Sequence, residues 1–305
     1  MMGLSTLVLL SSVALLCSAA PALEPVTCSF ENINAAARLA MHHLNMYHEH
    51  GYRFRLLEVA GSKMGQTDTG CTMELNLNLW ETDCHTVNPK HFEDCEFRQE
   101  SDRAVAASCT VQMTVVYSDA QVKSYKCVTK KALSDEEMAM TCPDCPPIIS
   151  LTDPQALKAA QAAVKQFNLN TTNQHYFVLK EVGRTKLAYI PGVGMRYYSE
   201  VALIESQCPM FSRVVPESCN PLCSERAQHA LCKASYSAAN GISHLECEYY
   251  PPSYAPPLAF GEQEPVCVPT LPLSPAGPPG SQPTSNTHHC SMDSNSAFHP
   301  ICPWP

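Results

Sequence analysis

The chain has 305 residues, a formal net charge of -9, 17 cysteines and 25 prolines. Its acidic balance, with no basic cluster beyond short pieces such as Lys130-Lys131, argues against nucleic-acid binding, which needs cations aimed at phosphates. The length has room for two domains of about 100 to 120 residues, small units that covalent staples would help to stabilise.

Residues 1–20 read as a signal peptide: the apolar run Leu7 to Leu16 ends in Ser18, Ala19 and Ala20, with cleavage after Ala20 or Ala22. That run is short against the ~20 apolar residues of a membrane span, and no other segment is suited to one, so no membrane partner is expected. Cleavage removes Cys17 and leaves 16 of the 17 cysteines, an even number in an exported chain, where disulfides are the expected state. Asn170-Thr171-Thr172 is an N-glycosylation sequon that depends on the same export route.

Ile33, Ala37, Ala40, Leu44 and Tyr47 recur at helical spacing, with Gly51 expected to end the helix. Strands are expected at Tyr52 to Ala60 and Thr72 to Glu81, where Met73, Leu75, Leu77 and Leu79 alternate with Glu74, Asn76, Asn78 and Trp80. Two more follow at Cys109 to Tyr117 and Val122 to Val128, separated by Ser118-Asp119.

A second unit repeats the plan. Thr152-Asp153-Pro154 is a helix start, because proline at the first helical position lacks only an N–H that would be unpaired anyway. Leu157, Ala160, Val164 and Phe167 supply its apolar stripe, and strands follow at Tyr176 to Val182, Arg196 to Glu205, Leu231 to Tyr236 and Ser243 to Tyr249. From Pro251 the composition turns to Pro, Ser and Gly, so residues 251–305 are expected to form an extended tail, with Cys267, Cys290 and Cys302 available to tie it down.

The cysteines carry one ruler twice. Cys84, Cys95, Cys109 and Cys127 are spaced by 10, 13 and 17 residues, and Cys208, Cys219, Cys232 and Cys247 by 10, 12 and 14. A shift of 124 lays Cys84 on Cys208, Cys95 on Cys219, Gly70 on Gly194 and, continued without a gap, Ile33 on Leu157. The chain is thus an internal duplication. The expected fold class is α+β: two tandem units at residues 28–141 and 148–250, each one helix across an antiparallel sheet, joined by a linker at 142–147.

A helix laid across an antiparallel sheet with two cysteine pairs at its end resembles the cystatin fold, and the double copy resembles the fetuin family, most like its fetuin-B branch and next its fetuin-A branch. The most specific stretches are Glu81-Thr82-Asp83-Cys84-His85, Cys142-Pro143-Asp144-Cys145-Pro146 and Leu231-Cys232-Lys233-Ala234. The resemblance implies the pairs Cys84 with Cys95, Cys109 with Cys127, Cys142 with Cys145, Cys208 with Cys219 and Cys232 with Cys247, plus a long closure of Cys28 to Cys302. It leaves the pairing of Cys71, Cys223, Cys267 and Cys290 open.

Inhibition of papain-type proteases fits poorly. The hairpin that such inhibitors insert reads Gln66-Thr67-Asp68-Thr69-Gly70 here, with an acid where valine belongs, and burying it unpaired would cost several kcal/mol. The second copy has Ile190-Pro191-Gly192-Val193-Gly194 at that place, and no Pro-Trp pair stands near Tyr117-Ser118-Asp119.

The linker is sharper. A zinc site would need a second ligand pair and an oxidoreductase a βαβ context, and neither accompanies Cys142 and Cys145. The bland alternative is a stapled spacer. The fetuin-B resemblance implies that the small ring presents Asp144 to the open zinc position of an astacin-type metalloprotease, with Pro143, Pro146 and Pro147 limiting the ordering cost and Tyr189 to Tyr197 flanking the cleft. The fetuin-A resemblance implies instead a calcium-phosphate carrier, with a carboxylate row at Glu74, Asn76, Asn78 and Glu81. The 12 histidines are scattered and His85 and His91 are expected in solvent, so no metal or cofactor is called. No Gly-x-Ser-x-Gly, His-Glu-x-x-His or phosphate-cradling loop is present, which argues against an enzyme.

Overall fold

A computed structural model describes residues 24–117, 119–170, 172–254, 265 and 296–304. Residues 1–23, which include the expected signal peptide, lie outside the described residues, as do Ser118, Thr171 and most of the segment after Tyr254. The first copy consists of α1 (Ile33–Tyr47), β1 (Tyr52–Thr67), β2 (Gly70–His85), β3 (Val105–Val116) and β4 (Asp119–Lys131). The strands form one antiparallel sheet in the order β1-β2-β3-β4. After the short α2 (Asp135–Thr141), the second copy supplies α3 (Pro154–Phe167), β5 (His175–Ile190), β6 (Gly194–Pro209), β7 (His229–Ser237) and β8 (Gly241–Tyr250), again in sequence order.

Period-two patterning builds each core. Met73, Leu75, Leu77 and Leu79 on β2, with Val105, Ala107, Val111, Met113 and Val115 on β3, face Ala36, Ala37, Ala40, Met41 and Leu44 of α1. Each fully buried aliphatic side chain contributes about 1.5 to 3 kcal/mol, and the alanines let the helix lie close to the sheet. In the second copy Asp153 caps α3 by accepting from the N–H groups of Gln155 and Ala156, with Pro154 in the first turn.

The two copies are related by two shifts. The helix and first strand superpose at 123: Leu44 matches Phe167, Asn45 matches Asn168, and Phe54 matches Phe177. The three register irregularities between β1 and β2 recur at the same shift between β5 and β6. The extra residue sits in the hairpin, where Thr67 pairs with Gly70 but Ile190 pairs with Gly194. The gapless shift of 124 is therefore corrected upstream of the hairpin. Leu157, which that shift made a stripe residue, is 37% exposed, and Ala156 takes its place against the core.

Three other expectations change. Gly51 does not end α1, whose cap is His48; it stands at φ 72°, and a Cβ there would lie 2.8 Å from His299 Cβ. Cys28 pairs with Cys71 instead of Cys302, because Cys71 takes a core-facing place on β2 where the N-terminal segment crosses, with 5.8 Å between the Cα atoms. Cys223 and Cys302 are disulfide-bonded as well. Residues 296–304 are not an extended tail: Ile301 is buried in the first core, Trp304 and Tyr125 exchange backbone hydrogen bonds at 3.0 Å, and the Trp304 ring lies 3.8 Å from that of Tyr47. Phe298, Ile301 and Trp304 bury enough apolar surface to offset the ordering of this short piece. Among the described residues no helix is long and apolar enough to cross a membrane.

Candidate functional site

The linker begins where α2 stops. Ser134 and Glu137 close a capping box at its start, Met138 buries its side chain, and Cys142 N–H donates to Met138 O at 2.7 Å. Cys145 N–H then donates to Cys142 O at 3.1 Å, and the Cys142–Cys145 disulfide locks this turn. Pro143 and Asp144 form its exposed tip. The Asp144 carboxylate has no hydrogen-bond or ion-pair partner among the described residues.

The base of the turn is held by buried cations. Arg103, itself buried, donates from Nη2 to Cys145 O at 2.9 Å and from Nε to Pro146 O at 3.1 Å, while Nη1 reaches Asp135 Oδ1 at 3.3 Å. Downstream, Leu187 N–H donates to Pro147 O and Ile149 N–H to Thr185 O, both at 3.0 Å, so the linker joins the side of β5. The ring is thus a covalently closed tip on a hydrogen-bonded stem.

Beneath the stem the copies meet through charge. Arg184 of β5 donates through Nη2 to both oxygens of Glu81 at 2.7 Å and through Nη1 to the carbonyls of Asp102 and Arg103. Arg98 contacts Asp102 at 2.6 Å and Glu200 at 3.1 Å, with its guanidinium 4.1 Å above the Tyr52 ring. Tyr52 donates its hydroxyl to Glu200, and Lys186 pairs with Asp102. Burial disfavours the charged form of Glu200, but Arg98 and Arg184 override it and hold the carboxylate far below its ordinary range. Burial beside Glu200 drives the Tyr52 phenol well up.

A second junction centres on Glu181. His85 Nδ1 accepts from Val87 N–H, which leaves its proton on Nε2, 2.8 Å from Glu181 Oε1. His50 Nδ1 lies 2.6 Å from Oε2, and Gly51 N–H donates to Oε1 at 2.7 Å. His85 is thus wholly buried, contrary to its expected place in solvent, because its loop folds against the second copy.

The carboxylate row is corrected too. Side chains alternate along β2, so Glu81 stands on the opposite face from Glu74, Asn76 and Asn78, buried against Arg184. Glu74 pairs with Lys63, while Asn76 and Asn78 accept hydrogen bonds from Thr110 and Ser108. Cys84–Cys95, Cys109–Cys127, Cys208–Cys219 and Cys232–Cys247 are paired as the resemblance implied. The sequon residue Asn170 is exposed, and Thr172 Oγ1 donates to its Oδ1 at 2.9 Å. Arg103, Arg184 and Arg98, the residues that hold the site, went unnoticed in the sequence. Arg98 and Arg103 stand among Glu96, Glu100 and Asp102, and Arg184 between Glu181 and Lys186, so nothing local singles them out from other charged residues.

Two helix-on-sheet units in tandem define a two-domain cystatin architecture, and the cystatin domain family matches residues 21–118 and 145–239. The chain belongs to the cystatin family and, within it, to the fetuins. Rabbit (Oryctolagus cuniculus) Alpha-2-HS-glycoprotein is 30% identical over 227 residues, 73% of this chain and 61% of the relative. The chain thus spans about 60% of the length of that relative. Mouse fetuin-B in complex with crayfish astacin is 25% identical with a TM-score of 0.56, covering 75% of this chain and 74% of that one. Mouse fetuin-B from an inhibitory complex with human meprin beta shares the fold, at 23% identity, a TM-score of 0.58 and 93% coverage of both chains. Members of the family are inhibitors or carriers, not enzymes.

Proposed function

We propose that this chain is a secreted glycoprotein that inhibits an astacin-type zinc metalloprotease through the Cys142-Pro143-Asp144-Cys145-Pro146 linker. The observation that carries the reading is Asp144: an exposed, partnerless carboxylate on a three-residue-span disulfide ring whose base is anchored by the buried Arg103. A catalytic zinc keeps one open position for water, and a carboxylate oxygen on a rigid tip is a suitable occupant. Rigidity matters because ordering a floppy loop would subtract from affinity. The similarity to mouse fetuin-B, solved in complex with crayfish astacin, supports the same class of partner.

In this reading residues 1–20 are removed on export, residues 28–141 and 148–250 straddle the enzyme cleft, and 251–305 form a tail. Asn170 carries the glycan. The β5–β6 hairpin, with Tyr189 and Met195 exposed, flanks the cleft from the second domain. Calcium-phosphate carriage has less support, since Glu81 is buried and Glu74 already neutralises Lys63.

Titration of the secreted protein against an astacin protease tests the reading. Near-stoichiometric inhibition is expected, lost in Asp144→Ala with folding intact, because an exposed side chain contributes little to stability. Full potency in that variant would remove Asp144 from the mechanism. A calcium-phosphate precipitation assay on the same sample separates the carrier role.

A further inference from the structure

Away from the linker, the first domain gathers three metal-competent side chains from separate segments. His42 lies on α1, His91 in the loop closed by the Cys84–Cys95 disulfide, and Glu93 in the single helical turn Phe92–Asp94. One donor atom of each lies within 4.8 Å of the other two. The two imidazole rings are 4.8 Å apart between centroids.

A separate observation points to a ligand. His42 Nε2 and His91 Nε2 are both shielded from solvent, and among the described residues neither has a hydrogen-bond partner. Buried polar nitrogens are ordinarily satisfied, and unmet ones in a pair of imidazoles next to a carboxylate residue suit a cation.

We propose that His42, His91 and Glu93 form a binding site for a borderline divalent transition-metal ion, Zn2+ or Cu2+ in preference to Ca2+ or Mg2+. Two imidazoles with a single carboxylate match the first pair, whereas calcium and magnesium take sets of oxygen ligands. Glu93 supplies the negative charge. Arg38 holds both of its oxygens, at 2.7 and 2.6 Å, and so both orients Glu93 and competes with the ion. His91 Nδ1 accepts a long 3.4 Å bond from Glu93 N–H and stands 3.7 Å from Glu93 Oε2. Ligation together with Glu93 uses His91 Nδ1, the ring nitrogen that faces this residue, in place of the long bond from Glu93 N–H, and leaves the ring proton on Nε2. Occupancy would tie the cysteine loop to α1. Among the described residues the other metal-competent group is Asp83 with Cys84 and Cys95, whose thiols are spent on their disulfide.

The test is calorimetric titration of the full, chelator-stripped secreted chain with zinc chloride at neutral pH, with cobalt absorption as a second readout. One ion per chain is expected. His42→Ala and His91→Ala should each weaken binding by at least ~10-fold, Arg38→Ala should tighten it, and His244→Ala, on an exposed ion pair of the second domain, should leave it unchanged. Circular dichroism of each variant confirms that it is folded. Absence of binding in large metal excess, or equal affinity in folded His42→Ala and His91→Ala, overturns the site. Protease inhibition by the same His variants should be unaltered, so failure here and failure of the Asp144 reading are distinguishable.

Discussion

Arg184 Nη2 lies 2.7 Å from each carboxylate oxygen of Glu81, and both side chains are almost completely buried between the two domains. Charges removed from water are tolerated only when fully paired, and losing one partner of such a pair typically costs about 3 to 5 kcal/mol. Arg184→Ala also strips hydrogen bonds from the carbonyls of Asp102 and Arg103. The expected outcome is a loss of that order in a urea titration. Glu81→Leu with Arg184→Met should recover most of it, since no charge is left unpaired. If the double variant is no better than Arg184→Ala, the carbonyl contacts outweigh the ion pair.

Acid should weaken the fold. Burial holds His48 down to about 3 and His229 down to about 4, and lowers His299. Each therefore binds a proton more readily when unfolded, and stability falls as pH drops from about 6.5 toward those values. Despite its own burial, Glu181 is held well below the carboxylate range by His299, His50 and His85, and extends the loss below pH ~4.5. His50, raised chiefly by its hydrogen bond to Glu181, works the other way, giving stability that fades as pH rises through its folded value. Burial lowers His42 and His43 as well, so the lowered histidines outnumber it and the melting temperature should decline from pH 7 to pH 4. His48→Gln, which can still donate to Tyr52 O, should flatten that curve. An unchanged slope would take His48 out of the account.

The long helices α1 and α3 and all eight strands are legible in local periodicity, because amphipathic spacing is imposed by the burial that forms them. Ala160, Val164 and Phe167 of the expected stripe are buried, but a gapless shift of 124 misaligns the two helices by one residue, because a residue inserted into an exposed hairpin leaves no mark on either flanking pattern. Strand parity alone sets Glu81 on the face opposite Glu74, Asn76 and Asn78. α2 carried a readable signal, Ser134 three residues before Glu137, but seven residues show little periodicity. The ring at Cys142 to Cys145 was visible as a motif. Its stem was not, since Arg103 lies 42 and 43 residues from the carbonyls it holds.

That stem makes a prediction separate from Asp144. Arg103→Ala deletes two hydrogen bonds to the linker backbone while leaving the carboxylate and its disulfide in place. Amide exchange at Cys145 and Leu187 should accelerate, and inhibition of an astacin protease should weaken through a faster dissociation rate, because ordering would then fall to the binding step. Arg103→Lys keeps the charge but loses the fork, so it should behave like the alanine variant. Normal dissociation from Arg103→Ala would mean that the Cys142–Cys145 ring alone sets the tip's rigidity.

The duplicated asparagine clamps permit an internal comparison. Asn45 accepts from Phe54 N–H and donates to Phe54 O, both at 2.9 Å, pinning the end of α1 to the start of β1. Asn168 makes the same pair with Phe177 at 2.9 and 2.8 Å. Asn45 is buried and donates also to Met41 O, whereas Asn168 is only half-buried. Orphaning a buried backbone group costs about 1 to 3 kcal/mol, less where water can replace the partner. Asn45→Ala should therefore lower the unfolding free energy by about 2 to 3 kcal/mol and Asn168→Ala by about 1 kcal/mol. Differential scanning calorimetry of both variants checks the ordering. Equal losses would mean that water reaches neither clamp, and that their energetics follow the repeat rather than the burial.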